Sequence, residues 1–178
     1  SPVPGIRYDA VNLCKDCPNV NELAWYAEKG DPRFDADILW TSMGHLRIGG
    51  LWLKKKTKMA NDNSTTIADI ESKAPDNTDW RVGLTHHSLT LSITNWISPS
   101  PSAINDYLFL PALGMGSEMP LSIFSISSDG FFWSSSAYPS GDNNAYALCF
   151  YLDGVNLNLE VKYDFGRRNN IGNVWKFE

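Results

Sequence analysis

Through most of the chain beyond Leu46 the apolar residues recur with a period of two, and this limits the fold more than any single motif does. Leu46 and Ile48, then Leu51-Trp52-Leu53, read as strands broken at Gly49-Gly50. Leu84 to Ile97 alternates, with Leu89, Leu91 and Ile93 facing one way and Thr90, Ser92 and Thr94 the other. The last third carries Phe131–Ser134, Ala145–Leu152, Val155–Tyr163 and Gly172–Phe177 as further short strands. Such strands cover one sheet face with apolar side chains and need another layer to bury it.

A helix early in the chain is the natural partner. Asn19 stands in N-cap position with Glu22 three residues on, and Val20, Leu23, Ala24 and Ala27 form one apolar stripe. Gly30 marks the end, and Asp31-Pro32 stops the helix. Asp35–Thr41 is expected as a second short helix, and Asn61 to Asp79 as a polar loop with a turn at Pro75-Asp76-Asn77. Ser98-Pro99-Ser100-Pro101-Ser102 reads as a surface loop within one domain. Asn63-Ser64-Thr65 fits a glycosylation acceptor and is read as a chance match. An early helix followed by many short strands and long loops indicates an α+β fold over residues 1–178, with residues 1–10 a linker or processed N-terminus.

At 178 residues one domain buries roughly 70% of its unfolded surface. Net charge is −5 and the pI about 5.1, which argues against a general affinity for nucleic acid. The basic cluster Lys54-Lys55-Lys56 with Lys58 reads as a solvated strand end or loop. No run approaches the roughly 18 apolar residues that span a bilayer, so no membrane insertion is expected. Cys14 and Cys17 form a C-x-x-C that fits a structural pair or local disulfide, with metal or redox roles as lesser alternatives. Neither these cysteines nor His45, His86 and His87 complete a zinc pattern, so no metal or cofactor is expected.

Three phrases in order carry a resemblance: Phe109-Leu110-Pro111-Ala112 with Gly114, Gly130 through Ser136 with its aromatic-Trp-Ser-Ser-Ser run, and Ala145-Tyr146 with Leu148 and Phe150. Together they resemble the bacterial C-type-lectin-like domains of the Fibrobacter succinogenes major paralogous family. That fold group also holds formylglycine-generating-enzyme-type proteins and the variable proteins of diversity-generating retroelements. The match covers roughly Tyr107 to Val174. Arg168, Gly172 and Val174 follow the family's ending, while Trp175 stands where its second Arg belongs, and a Trp-Arg-Leu-Pro-Thr-like phrase before the helix is absent. The resemblance implies a C-type-lectin-like fold, with the early helix packed on a small twisted antiparallel sheet under long loops. It also implies a ligand-binding face in the C-terminal half.

On the residues themselves, Trp133 and its serines read as scaffold, the serines serving as partners for the indole N–H. The polar break Tyr138, Ser140, Asp142, Asn143 and Asn144 reads as ligand-binding, together with Tyr151, Asp153, Asn156, Asn158, Tyr163 and Asp164, expected as one polar and aromatic face. Tyr beside Asn, Ser and Gly is the chemistry of adaptable recognition surfaces. Active diversification of Tyr138–Asn170 is the lesser expectation. The sugar-and-calcium phrases Glu-Pro-Asn, Gln-Pro-Asp and Trp-Asn-Asp are missing, and the C-terminal half holds Cys149 without a second cysteine. Calcium-mediated sugar binding and formylglycine generation are therefore disfavoured. The chain also lacks G-x-S-x-G, a P-loop and G-x-G-x-x-G.

The expected function is calcium-free, non-catalytic recognition of a glycan or surface protein, adhesin-like, extracellular or at a cell surface or phage tail. The alternatives are a hydrolase-like enzyme with His86 or His87 as base, and a structural subunit of a surface appendage.

Overall fold

The computed structural model describes residues 14–42, 44–118, 121–139, 144–164 and 170–171, with 115–118, 121–124, 164 and 170–171 described as backbone only. Mixed α and β elements follow in the order α1 (Val20–Lys29), β1 (Arg33–Ser42), β2 (His45–Lys54), α2 (Lys56–Asp62), α3 (Ile67–Ser72), β3 (Leu89–Ile93), β4 (Tyr107–Pro111), β5 (Met115–Glu118), β6 (Leu121–Phe124), β7 (Gly130–Ala137), β8 (Ala145–Asp153), β9 (Asn156–Asp164) and β10 (Asn170–Ile171). Among the described residues the strands build three antiparallel sheets, ordered β1-β2-β4, β10-β5-β6 and β3-β9-β8-β7. No helix among the described residues is long and apolar enough to cross a membrane. The expected strand Gly172–Phe177 lies outside the described residues.

The early helix forms as its sequence dictates. The Asn19 side chain accepts the amides of Asn21 at 2.9 Å and Glu22 at 3.3 Å, and a Glu22 carboxylate oxygen accepts the Asn19 amide at 2.6 Å. Its apolar stripe, Val20, Leu23, Ala24 and Ala27 with Tyr26, enters one core shared with Leu51 and Leu53 of β2 and with Tyr146, Leu148, Phe150, Leu157, Leu159 and Val161 of β8 and β9.

The serine run performs a docking role. β7 pairs with β8 as far as Trp133↔Ala147 and resumes at Ala137↔Ala145, so the intervening serines leave the ladder as a bulge. Within it the Ser135 amide donates to the Pro18 carbonyl at 3.0 Å, and the Ser136 hydroxyl accepts the Val20 amide at 3.1 Å. The serines thus satisfy groups at the helix entry.

Three expectations about the elements are corrected. Asp35–Thr41 is strand, not helix: Asp35 Oδ1 accepts the amides of Asp37 and Ile38, both at 3.0 Å, as an N-cap would, but the chain then returns to pairing with β2 at Leu39↔Ile48. The Asn61–Asp79 stretch is not all loop, because α2 ends in it and α3 lies within it, the latter opened by a Thr66/Asp69 capping box. Gly49-Gly50 does not break β2 either. Gly49 has φ +84°, and a Cβ on Gly50 would sit 2.3 Å from the Phe109 ring, so the pair lets β4 approach while the strand continues.

The three helices are tied by Lys56, whose Nζ lies 2.8 Å from Glu22 and 3.1 Å from Glu71. Cys14 and Cys17 lie in one turn, Cys17 in the main core, and both are thiols, so the disulfide arm of the earlier expectation is not realised.

Fully buried Asn21 reaches across from α1 to Asp79, donating to its Oδ1 at 2.8 Å and accepting the Trp80 amide at 2.9 Å. Arg81 donates to both Asp79 oxygens at 2.7 Å. Partial burial acts to raise the Asp79 pKa, but the Arg81 and Asn21 hydrogen bonds prevail and hold it at about 2. A folded pKa below the unfolded value of about 3.9 gives stability that is present above pH ~5 and lost as pH falls through 4 towards 2. Asp79→Asn should therefore be ~1–2 kcal/mol less stable than the parent at pH 6, a figure discounted for the carboxylate's partial exposure. The gap should shrink from pH ~4 downwards and close only below pH ~2, as read from urea unfolding across that range.

Candidate functional site

The register of β8 and β9 decides which polar residues share a surface. Tyr151 pairs with Asn158, Asp153 with Asn156, Cys149 with Glu160 and Ala147 with Lys162. Residues directly opposite in an antiparallel pair share a face. The outward face therefore carries Tyr151, Asp153, Asn156, Asn158, Glu160 and Lys162, flanked by Thr90 and Ser92 of β3 through Thr90↔Glu160 and Ser92↔Asn158. Asp164 lies on the same face by register, opposite Ala145. The inward face carries Tyr146, Leu148, Phe150, Leu157, Leu159 and Val161, all buried in the core.

On the outward face the polar groups are interlocked. The Tyr151 hydroxyl donates to Glu160 Oε1 at 2.6 Å, and Thr90 Oγ1 donates to the same oxygen at 3.3 Å. Lys162 Nζ lies 3.2 Å from Glu160 Oε2 and 5.5 Å from the Tyr151 ring centroid. The bond to Glu160, helped by burial, raises the Tyr151 phenol pKa. Towards β7 this side of the sheet is buried: Phe131, Ala147 and Cys149 form a small apolar cluster, with Trp133 and Tyr151 packed against it and the Phe131 and Trp133 rings edge to face at 4.9 Å. One aromatic ring is thus held between a carboxylate and a small apolar cluster, with two asparagines alongside. Hydroxyls and amides of a ligand fit such a surface, and its rigidity limits the entropy lost on binding.

The expected single face is divided. Tyr163 pairs with Tyr146 and therefore belongs to the inward side. Tyr138, expected in an exposed polar break, is only 5% exposed and stacks on Tyr163 at 4.3 Å between ring centroids. Its hydroxyl bonds His86 Nδ1, and its ring meets Tyr146 edge-on at 5.7 Å. The Tyr146 hydroxyl lies in the same cluster, its pKa raised by burial against the opposing effect of the His87 backbone. Tyr138 is corrected from a recognition residue to a packing residue. Asn144 remains half-buried at the entry to β8, its carbonyl accepting the Tyr138 amide at 3.1 Å. Ser140, Asp142 and Asn143 lie outside the described residues.

His86 and His87, candidate bases by sequence, stand in aromatic contacts. His86 is exposed and lies against Tyr138 and Tyr163, while His87 stacks on Trp80 at 4.9 Å with its plane only 12° away. Among the described residues no group of three His, Cys, Asp or Glu side chains is placed to hold a metal ion.

Sequence reasoning missed Glu160, Lys162, Thr90 and Ser92 as members of the surface. Strand parity was the available signal, since 156, 158, 160 and 162 share a face and Thr90 and Ser92 oppose the apolar series of β3. Comparison with protein-family models, curated proteins and solved structures finds no match to this chain.

Tyr138→Ala should act on stability through the lost ring stack. A loss of about 3 kcal/mol is expected for a buried aromatic, measured by urea unfolding. Tyr151→Ala, on the outward side, should cost no more than about 1 kcal/mol.

Proposed function

We propose that this chain is a calcium-independent recognition module, binding a glycan or a surface protein through the outward face of β8 and β9. The observation that carries the reading is the alignment of Tyr151, Asp153, Asn156 and Asn158 on that one face. The Tyr151 ring is steadied there by Glu160 and Lys162. A fixed, amphipathic ring beside short amides offers contact area at small conformational cost. Leu157 and Leu159, which alternate with the asparagines, belong to the core, while Leu152 and Val155 at the hairpin end are exposed.

A C-type-lectin-like scaffold is part of the same proposal. Its support is the family-like order of the three sequence phrases, with an early helix packed against antiparallel strands and the Trp-Ser-Ser-Ser segment positioned beside that helix. A site of action outside the cell, at a cell surface or on a phage tail, goes with this reading.

The test is a screen of the full chain on a broad array of glycans and bacterial and host surface proteins, with and without EDTA. Beside it runs a Tyr151→Ala/Asn158→Ala variant whose far-UV circular dichroism matches the parent. The expected result is EDTA-insensitive binding that the folded double variant weakens at least tenfold. Binding that EDTA abolishes, or that the double variant retains in full, would contradict the proposal.

A further inference from the structure

A second place in the molecule has the character of a ligand site, and none of its residues belongs to the β8–β9 face. The loop after β3 runs beside the start of β1: the Phe34 amide donates to the Asn95 carbonyl at 2.9 Å, and Arg33 and Asn95 form a parallel bridge. Between that loop and the β1 bulge lies a groove of about 580 Å³, walled by Asp35, Asp37 and Ile38 on one side and by Trp96 through Pro101 on the other.

Its walls are fixed from within. Trp96 meets Phe34 edge-on, 5.5 Å between centroids and 74° between planes, yet 46% of the residue remains exposed. The Phe34 contact anchors the indole while much of its surface stays open to solvent. Asp35 is held by the Ser98 hydroxyl and by the amides of Asp37 and Ile38, which ties the two walls together. Partial burial acts to raise the Asp35 pKa, but those donors prevail and lower it, so the carboxylate is an acceptor at neutral pH. Asp37 is exposed beside it, and the opposite rim carries Pro99 and Pro101, whose fixed φ stiffens the loop.

We propose that this groove binds a neutral pyranose unit of a carbohydrate, the sugar's C–H face resting on Trp96 and its hydroxyls donating to the Asp37 and Asp35 carboxylates. Carboxylates accept from hydroxyls and repel anionic ligands, so phosphorylated, sulfated and uronic sugars are excluded. A quaternary ammonium or lysine side chain prefers a cage of several aromatic faces, whereas this groove offers one. An aromatic plane bordered by hydrogen-bond acceptors matches a sugar ring, which has an apolar face and a polar edge. The site stands independently of the β8–β9 proposal, and different side chains test it.

The experiment is an NMR titration of the indole N–H signals of the ¹⁵N-labelled chain, the Trp96 signal being assigned by its disappearance in Trp96→Phe. Separate arms use neutral gluco-, manno-, galacto- and xylo-oligosaccharides, a uronic oligosaccharide, and tetramethylammonium chloride. At least one neutral series should shift the Trp96 signal saturably in the micromolar-to-millimolar range, with the uronic and ammonium arms leaving it in place. Affinities of the variants are read by isothermal titration calorimetry with the same oligosaccharide, since the indole signal is lost with Trp96: Asp37→Asn should weaken binding severalfold and Trp96→Ala at least tenfold, while Trp96→Phe, which keeps a ring, should lose less. Tyr151→Ala/Asn158→Ala should leave this titration unchanged, so the failure of either site is read separately. A Trp96 signal indifferent to every neutral series would overturn the proposal. So would saturation by tetramethylammonium, or full affinity in a folded Trp96→Ala variant.

Discussion

The first turn of α1 is where the separate parts of this chain are fastened to one another. Asn19 caps the helix and also donates to the Glu71 carbonyl at 3.0 Å, Val20 is bonded by Ser136 of β7, and Asn21 reaches Asp79 and Trp80. Glu22, the fourth residue in succession, closes the capping box and takes the Lys56 ammonium. Consecutive positions thus engage α3, β7, the segment around Trp80 and α2. Helix N-termini leave amides without intrahelical acceptors, and here that requirement orients the surrounding chain. Glu22 and Asn21 are buried with these bonds made, so exchanging either for an apolar residue would strand its partners away from water.

The same turn explains why part of the fold was legible. The Asn19/Glu22 pair and the stripe of Val20, Leu23, Ala24 and Ala27 are local signals, and the helix lies where they place it. β9 was readable because Leu157, Leu159 and Val161 bury one face, which enforces a period of two, whereas β8 is buried on both faces from Tyr146 to Phe150 and reads as a continuous apolar run. β1 was misread because Asp35 bonds the next two turn amides as a helix cap does; only the long-range pairing with β2 reveals a bulged strand. α2 and α3 bury only Met59, Ala60 and Ile70, too few positions to write a periodic stripe.

For the candidate surface, residue types were legible and geometry was not. Tyr151, Asn156 and Asn158 share a face, as expected, but Tyr163 is one step out of phase and turns inward to Tyr138. Tyrosine suits both a wet surface and a core, so its identity alone does not choose between them. The groove at Trp96 was invisible for a different reason. It joins residues some sixty positions apart, and the Ser98–Asp35 bond that closes it belongs to neither segment alone.

The alternation along β9 has a consequence for how the molecule can change. Leu157, Leu159 and Val161 carry the burial, while Asn156, Asn158, Glu160 and Lys162 point the other way from the same strand. Substitutions at Asn156 and Asn158 are therefore largely decoupled from the core, and a combinatorial library restricted to these two should keep the parent fold, whereas Glu160 and Lys162 are tied to Tyr151 and Thr90. One strand thus divides its work: its odd positions hold the core, and the asparagines opposite can change while that foundation is left alone.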